Sequence, residues 1–448
     1  MNFKNFALIG HPVGHTMSPF IHSRFFALCG ENARYGVLDI PPEELASSGT
    51  RLRELNGFNI TIPHKRAVIP FLDACSPKAT EFGSVNTVKN ESGRLVGYTT
   101  DGTGFRLALE AAGTRLAGKV TVLGAGGAAR AIAFEAVHAG AEVTVAAREH
   151  SFSAAERLCA DLRAAVPGSH VFADRIAGLR GKRDLLVNAT PAGMYPNADA
   201  CAASEDLVAG SACVFDAVYN PGQTKLLALA KQCGKKAVGG IGMLVGQAAA
   251  AQEIWFGVHF SDEVLRRLCE EASFEMKKKF GSVVLCGFMG SGKTTCGKLL
   301  AQKLNRPFLD LDEWIERKAG MTVSEIFAQK GEAAFRKMER MAVEELSLTG
   351  GLVIAAGGGA LLQKENAAAL RANDVVILLD ASLETVKYRL KDDHSRPLLH
   401  QPDSGDVLAG LYAARREAYR AAADTVLNAD GSPEETAEAA RKLLQGTF

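Results

Sequence analysis

The stretch KVTVLGAGGAARAIAFEAVHAGAEVTVAAR, which covers residues 119–148, decides the fold of the first half of the chain. An apolar strand at its start runs directly into GAGGAA, residues 124–129, and an alanine-rich helical segment follows. A G-x-G-x-x-G/A pattern between a strand and a helix favours a dinucleotide site, because glycines let the backbone approach a pyrophosphate at the helix N-terminus. The predicted cofactor contacts are Gly124, Gly126, Gly127 and Ala128.

The end of the next predicted strand, at residues 143–146, indicates which dinucleotide binds. Enzymes that use NAD usually place Asp or Glu after this strand to hold the ribose 2′-hydroxyl. The first polar residue here is Arg148, which suits a 2′-phosphate, so the sequence favours NADP(H). Glu149 follows directly and leaves the strictness of that preference open.

A second glycine-rich loop, GFMGSGKT at residues 287–294, matches G-x-x-x-x-G-K-[ST] between an apolar strand and a helix. Its backbone N–H groups can converge on phosphate oxygens. Lys293 can neutralise charge on the β- and γ-phosphates, and the Thr294 hydroxyl can bind Mg²⁺. The other predicted nucleotide contacts in this loop are Gly290, Ser291, Gly292 and Thr295.

Composition narrows the function classes. The 448 residues, 47% hydrophobic and 23% charged, predict about three lobes with full-sized cores. The net charge of +1 argues against a nucleic-acid partner, which would need a basic face. No run reaches the ~18 apolar residues of a membrane span, and the N-terminal segment has no leader pattern. Nine scattered cysteines without a C-x-x-C pair favour a reducing, cytoplasmic location.

Short β-branched runs alternate with Ala-, Leu- and Glu-rich helical stretches along the whole chain, which predicts an α/β fold of parallel sheets covered by helices. We expect a substrate-binding lobe at residues 1–103, completed by helices at about 242–273, and a dinucleotide lobe at 104–241. A charged linker at 274–281 would lead to a third lobe at 282–448.

Several polar segments follow the second glycine loop. Asp310 and Asp312 stand two apart at a predicted strand end, where alternation puts both on one face. One carboxylate could serve Mg²⁺ and the other a substrate hydroxyl. Three glycines at 357–359 permit close backbone approach to a ligand.

Residues from about 281 to the C-terminus resemble shikimate kinase. The phosphate loop, D-x-D, F-R-x-x-E, G-G-G, R-P-L-L and R-x-x-x-Y occur in that order. The resemblance implies a P-loop domain of the nucleoside-monophosphate-kinase type that phosphorylates shikimate with ATP and Mg²⁺, under a lid at about 391–404. It implies that Asp310 assists the metal, Asp312 holds ring hydroxyls, Arg336 and Arg415 grip the carboxylate, Gly358 and Gly359 touch the substrate, Arg396 and Lys293 act on the phosphoryl group, and Arg389 lies against adenine.

The first half carries polar turn segments that would singly be ordinary turn chemistry. They are T-x-S-P at 16–19, N-x-T-x-P-x-K at 59–65, V-N-T at 85–87, T-D-G at 100–102, D-x-x-Y at 216–219 and G-M-L-x-x-Q at 242–247. Together with the first glycine loop they resemble shikimate dehydrogenase over about residues 1–273, an α/β substrate domain joined to a Rossmann NADP domain.

This second resemblance implies that Thr16 and Ser18 bind the substrate carboxylate and that Lys65 and Asp101 form the catalytic pair. The other residues that it places in the cleft are Asn59, Thr61, Asn86, Tyr219 and Gln247. The chemistry is coherent, because hydride addition to a ketone creates an alkoxide that an ammonium can protonate and a carboxylate can orient that ammonium. His64 is the rival acid. Since adjacent strand residues point to opposite faces, we interpret His64 as structural.

The product of the first reaction is the substrate of the second. The sequence therefore predicts a bifunctional enzyme that reduces 3-dehydroshikimate with NADPH and then phosphorylates shikimate. One alternative is an NAD-using quinate/shikimate dehydrogenase fused to the same kinase. Another is that one half is non-catalytic and regulatory, although the intact Lys65, Asp101, Lys293 and Asp312 argue against it. Only small-molecule partners are expected, and the oligomeric state is open.

Overall fold

A computed structural model describes residues 3–14, 16–391 and 404–446, with the side chains of 404 and 405 left out. The chain divides into two compact units, Met1–Ser273 and Phe274–Phe448. No helix within these described ranges is long and apolar enough to cross a bilayer.

The first lobe of unit 1 is built on a six-stranded sheet. Its strands are β1 (Lys4–Gly10), β2 (Ala33–Asp39), β3 (Gly57–Ile60), β4 (Ala74–Cys75), β5 (Thr87–Glu91) and β6 (Arg94–Tyr98), and its helices are α1 (Ser18–Cys29), α2 (Gly49–Arg53), α3 (His64–Ala67) and α4 (Pro77–Phe82). The strand order is β2-β1-β3-β5-β6-β4.

This sheet is mixed, so the expectation of parallel sheets throughout is wrong here. Strands β3 and β5 pair antiparallel, as do β5 and β6. The β5–β6 hairpin turns at Ser92-Gly93, where φ is 54° and 96°. Two consecutive positive φ angles give the turn a twist that matches that of the flanking strands, which closes a two-residue hairpin.

The second lobe of unit 1 is a parallel sheet flanked by helices. Its strands are β7 (Lys119–Leu123), β8 (Glu142–Ala147), β9 (Val171–Arg175), β10 (Arg183–Asn188), β11 (Ser211–Asp216) and β12 (Lys236–Val238). The helices that follow α4 in the chain are α5 (Asp101–Ala111), α6 (Gly127–His138), α7 (Phe152–Ala165), α8 (Glu205–Ala209), α9 (Lys225–Gln232), α10 (Ile241–Phe256) and α11 (Asp262–Phe280). The last residues of α11, from Phe274, belong to unit 2.

The order β12-β11-β10-β7-β8-β9 places β7 where the winding reverses. Ligands of such sheets bind at the carboxyl ends of the strands at this switch point. The glycine loop leaves β7 there, and Val120 and Val122 beneath it are buried on a strand covered on both faces. The predicted Rossmann fold is confirmed.

Unit 2 is a five-stranded parallel sheet of order β14-β15-β13-β16-β17. Its strands are β13 (Val283–Cys286), β14 (Phe308–Asp310), β15 (Val353–Ala355), β16 (Val375–Asp380) and β17 (Thr425–Asn428), and its helices are α12 (Lys293–Leu304), α13 (Leu311–Ala319), α14 (Val323–Leu346), α15 (Lys364–Asn373), α16 (Leu383–Leu390), α17 (Ser404–Ala422) and α18 (Pro433–Gln445). Central strand β13 leads into the second glycine loop and α12, which confirms the predicted P-loop architecture.

Residues 274–281, predicted to link the two halves, are helical up to Phe280 and pack within unit 2. Met276 is buried, and the buried Lys278 donates from Nζ to the Gly446 carbonyl at 2.5 Å. Arg306 donates to the carbonyls of Lys278 and Gly281, both at 2.9 Å. The limits of the other predicted domains stay predictions.

A kinase fragment that begins at Phe274 should therefore be more stable than one that begins at Ser282. The shorter fragment loses the buried Met276 side chain and leaves Arg306 without its carbonyl partners, which should cost roughly 3 kcal/mol. Urea unfolding of the two fragments, followed by kinase activity, measures the difference. Equal midpoints and slopes would contradict the assignment of residues 274–281 to the second unit.

Candidate active sites

The candidate hydride-transfer site centres on a contact between Lys65 and Asp101. Lys65 Nζ lies 2.5 Å from Asp101 Oδ2, and the two side chains are 14% and 7% exposed. Little water reaches the pair, so the ammonium and the carboxylate orient each other strongly. The structure brings together the two residues predicted as the catalytic pair.

His64 and Lys65 both lie on helix α3, so the prediction that they point to opposite faces of a strand is wrong. Successive residues of a helix still diverge, by about 100° around its axis. His64 is buried, with Nε2 2.6 Å from the Ile40 carbonyl oxygen. Its position is that of a packed structural group.

Asn86 connects Asp101 with Gln247. Its side-chain amide Nδ2 lies 2.9 Å from Asp101 Oδ1, 2.9 Å from Thr100 Oγ1 and 3.0 Å from Gln247 Oε1. Its Oδ1 accepts from the Thr100 backbone N–H at 2.6 Å, just before α5 begins. Three predicted site residues are thus joined in one buried network, which fixes the rotamer of Asp101.

Tyr35 is a site residue that sequence reasoning missed. Its hydroxyl donates to Asn59 Oδ1 at 2.7 Å, and burial raises its pKa. The Ser18 side chain acts on the same hydroxyl and lowers its pKa, against the larger effect of burial. Tyr35 belongs to no motif and lies on strand β2, so only the tertiary fold places it here.

Asn59 is itself committed to the protein. Its Nδ2 donates to Thr87 Oγ1 at 3.0 Å and to the Asn86 carbonyl at 3.2 Å, and the residue is 3% exposed. Asn59 therefore links the Ser18–Tyr35 end of the cleft with the Asn86–Asp101 end. The predicted carboxylate ligand Thr16 is adjacent, where its Oγ1 accepts from the Ser18 backbone N–H at 3.1 Å.

Thr61 and Tyr219, the remaining predicted cleft residues, are partly exposed. Burial of the hydroxyl raises the pKa of Tyr219 to about 12. The loop that carries Tyr219 is held by Asp216, whose carboxylate accepts from Thr224 Oγ1 at 2.6 Å and from Asn188 Nδ2 at 2.9 Å. Burial raises the pKa of Asp216 to about 6.

The dinucleotide loop lies against Lys65, the predicted proton donor. A Cβ atom built at Gly127 would lie 3.2 Å from Lys65 Cδ, closer than ordinary van der Waals contact. Gly124 has φ of 107°, a conformation that favours glycine. Gly126 and Gly127 begin α6, where N–H groups and the helix dipole suit a pyrophosphate. The loop therefore fits a dinucleotide whose reactive end reaches Lys65.

A second missed residue, Glu135 of α6, ties the two lobes of unit 1 together. Its buried carboxylate pairs with Lys78 of α4, and Arg106 of α5 lies 3.4 Å away. A side chain at Gly102, next to Asp101, would overlap Glu135. No motif marks Glu135, because its partners come from two other helices.

The phosphate loop of unit 2 has the geometry of an anion cradle. Gly290 and Gly292 have φ of 75° and 92°, and Ser291 Oγ is buried without a hydrogen-bond partner among the described residues. Lys293 Nζ donates to the carbonyls of Gly287 and Phe288 at 3.0 and 3.1 Å, which holds the ammonium over the loop. Thr295 follows in the first turn of α12.

Thr294 and Asp310 form the candidate magnesium site. Thr294 Oγ1 donates to Asp310 Oδ2 at 2.9 Å, which brings together the hard oxygen donors that Mg²⁺ prefers. Asp312 lies in the first turn of α13 rather than on the strand, so the prediction that Asp310 and Asp312 share one face of a strand is wrong. Asp310 ends the strand and caps that helix, accepting from the Asp312 N–H at 3.1 Å.

The three glycines at 357–359 pack against the predicted acceptor site. A Cβ at Gly357 would overlap Asp312, and one at Gly359 would overlap Arg336. The Gly358 carbonyl accepts from the Tyr419 hydroxyl; burial raises the pKa of that hydroxyl, and the charge of Arg415 acts on it in the opposite direction. The structure thus gathers the predicted substrate residues of unit 2 around one backbone segment.

Arg336 is oriented by Glu339, whose buried carboxylate accepts from its Nη1 at 3.0 and 3.2 Å. Arg389, predicted to lie against adenine, donates to the carbonyls of Ala429 and Gly431 at 2.8 Å and contacts the phosphate-loop carbonyls of Gly290 and Ser291. Arg396 and most of the predicted lid lie outside the described residues.

The two sites define a class of protein, a dinucleotide-dependent oxidoreductase joined to a P-loop phosphotransferase. Family models agree with this class. The shikimate dehydrogenase substrate binding domain matches residues 8–88, the shikimate 5′-dehydrogenase C-terminal domain matches 240–270, and shikimate kinase matches 289–445.

The chain is also similar to curated shikimate dehydrogenases. It is 44% identical over 269 residues to shikimate dehydrogenase (NADP(+)) of Symbiobacterium thermophilum, covering 58% of this chain and 91% of that protein. The chain therefore belongs to the shikimate dehydrogenase family, and it is a fusion that continues into a shikimate kinase domain.

Solved structures show the same fold. Shikimate 5-dehydrogenase from Thermus thermophilus, in complex with NADP(H) and shikimate, is 35% identical with a TM-score of 0.53, covering 60% of this chain and 99% of that one. Ligand-free 5-ketofructose reductase of a Gluconobacter species is 32% identical with a TM-score of 0.50, covering 60% and 98%. A reductase named for another ketone shares the fold, so the fold alone does not define the substrate. The side chains of the site define it.

Tyr35→Phe should raise KM for the ketone substrate about tenfold and lower kcat less. The change removes only the hydroxyl that donates to Asn59, so substrate positioning suffers while Lys65 and Asp101 stay in place. Steady-state kinetics measures both constants. Tyr98→Phe on β6 is the matched control, because no hydrogen bond of its hydroxyl is found within the described residues. Equal effects of the two variants would contradict the role of Tyr35.

Gly359→Ala should raise KM for the kinase acceptor at least about tenfold, because the new methyl group displaces the Arg336 guanidinium from its place beside Glu339. Binding of ATP should change little. Gly410→Ala on α17, where a Cβ meets nothing within 4 Å, is the control. An unchanged acceptor KM would remove Arg336 from the acceptor site.

Proposed function

We propose that unit 1 reduces 3-dehydroshikimate to shikimate with NADPH and that unit 2 transfers the γ-phosphoryl group of Mg·ATP to the 3-hydroxyl of shikimate. The buried Lys65–Asp101 contact beside the dinucleotide loop carries the first assignment. The acidic and guanidinium groups gathered at residues 357–359 support the second.

In unit 1 the reduced nicotinamide, when bound, supplies a hydride to the ketone carbon. The Lys65 ammonium donates a proton from Nζ to the carbonyl oxygen as negative charge develops there. Asp101 orients the Lys65 ammonium, and Asn86 holds Asp101 in the rotamer that allows this. The low exposure of the pair strengthens these interactions and limits competition from water.

The two ends of the buried network orient the substrate in unit 1. The hydroxyls of Thr16 and Ser18 bind the carboxylate. Thr61, Asn86 and Gln247 address the ring hydroxyls near Lys65, and Tyr219 lines the cleft. Asn59 and Tyr35 hold the two ends at a set separation. A carboxylated ring is therefore placed with one oxygen at Lys65.

In unit 2 Mg·ATP, when bound, supplies the phosphoryl group, and the metal offsets charge on its oxygens. Thr294 and Asp310 would hold the metal, and Lys293 with the loop N–H groups would bind the phosphates. Asp312 accepts the proton of the attacking hydroxyl. Arg336 and Arg415 hold the substrate carboxylate through planar guanidinium groups.

Lys65→Met should lower kcat for ketone reduction about 10²–10⁴-fold, because it removes the proton donor while keeping a side chain of similar length. Phosphorylation of added shikimate by the same purified chain should be unchanged, which serves as an internal control for the amount of chain and for unit 2. The test supplies 3-dehydroshikimate, NADPH and Mg·ATP and follows both NADPH and phosphorylated product. A kcat loss below about tenfold would assign the proton to another group.

Assaying the two halves separately on shikimate, with quinate and NAD⁺ also supplied to the dehydrogenase half, separates the alternatives. Efficient use of quinate with NAD⁺ would favour a quinate/shikimate dehydrogenase, and failure of one half would favour a regulatory role for it. The cytoplasmic location that the cysteine content predicts stays a prediction.

A further inference from the structure

We propose that Arg175 is a specificity-determining residue for the reductant, because it pairs with Glu149 and so neutralises a carboxylate beside the 2′-phosphate position. This inference rests on the proposed use of NADPH. It addresses a conflict within the sequence, where Arg148 suits a 2′-phosphate and Glu149, directly after it, suits a 2′-hydroxyl.

The geometry of the pair is a planar fork. Arg175 Nε donates to Glu149 Oε2 at 2.6 Å, and Nη2 donates to Oε1 at 3.1 Å. Both oxygens of Glu149 are thereby engaged. Two parallel N–H···O contacts fix the direction of a carboxylate as well as its charge.

The fold supplies Arg175 from a neighbouring strand. Arg175 is the last residue of β9 and lies in register with Ala147, the last residue of β8. Its guanidinium carbon also lies 4.1 Å from the centre of the Phe152 ring, at the start of α7. This ring contact restricts the long side chain and favours the arrangement that reaches Glu149.

The Arg148 side chain remains available to contact a 2′-phosphate. Its residue is exposed, and within the described residues its guanidinium makes no hydrogen bond or ion pair. The hydrogen bonds from Arg175 lower the pKa of Glu149, so that carboxylate stays ionised and paired at neutral pH. Asp174 and Glu156 also act on Arg175, so it is the positive charge that offsets a local group of acids.

Loss of Arg175 would therefore free Glu149 at the place where NAD enzymes keep an acid. A free carboxylate repels a 2′-phosphate and can accept a hydrogen bond from a 2′-hydroxyl. The pair is exposed, so the effect is modest and depends on salt. We expect Arg175→Gln to lower the ratio of kcat/KM for NADPH to kcat/KM for NADH about 3- to 10-fold at low salt.

The experiment measures this ratio in the full chain for the wild type, R175Q, E149Q and the double variant. E149Q should keep the wild-type ratio or raise it. The double variant should return to within about twofold of wild type, because it removes the carboxylate that R175Q releases. The defect of R175Q should shrink when the salt concentration is raised from about 0.05 to about 0.5 M, and K119Q serves as the charge control. Lys119 pairs with Glu142 at the amino-terminal ends of β7 and β8, whereas the predicted cofactor loop follows the carboxyl end of β7.

An R175Q ratio equal to wild type would overturn the inference. A double variant as poor as R175Q would also overturn it, because Arg175 would then act on the phosphate directly. The proposed cofactor fails in a different way, when the wild type shows no preference for NADPH or R148A leaves the preference unchanged. Kinase activity of each variant normalises the amount of chain in each assay.

Discussion

The contact between Lys65 and Asp101 is the interaction around which the first unit is arranged. An ammonium and a carboxylate with so little exposure are stable only if further groups satisfy their hydrogen-bonding capacity. Asn86 meets that need for Asp101, and the residues that hold Asn86 line the proposed substrate cleft. Gly127 completes the arrangement, because the absence of a side chain lets the dinucleotide loop approach Lys65.

In the second unit, backbone rather than side chain sets the spacing. The phosphate loop leaves the central strand β13, and residues 357–359 follow the neighbouring strand β15. Parallel strands bring these two segments to the same edge of the sheet. Asp312 and Arg336 approach the second segment closely because its glycines carry no Cβ. Phosphate binding and acceptor binding are thus two consequences of one strand order.

Much of the fold and of the candidate sites could be predicted from the sequence, and each wrong prediction has an identifiable cause. Both glycine loops were placed correctly because their strand and helix neighbours are adjacent in the chain. Asp312 and His64 were assigned to strands, although each lies on a helix, because a short turn after a strand has no periodicity of its own. The β5–β6 hairpin was missed where Ser92-Gly93 gave only a brief turn signal.

The sequence by itself determined the two nucleotide folds, the family resemblance and most of the candidate site residues, because local motifs encode backbone geometry over a few residues. Only the tertiary structure decided which groups orient the candidate site residues. Tyr35 reaches Asn59 across the sheet, Glu135 joins two other helices to α6, and Arg175 reaches Glu149 from a neighbouring strand. These contacts depend on strand order and register, which bring together residues that are distant in the chain and belong to no motif.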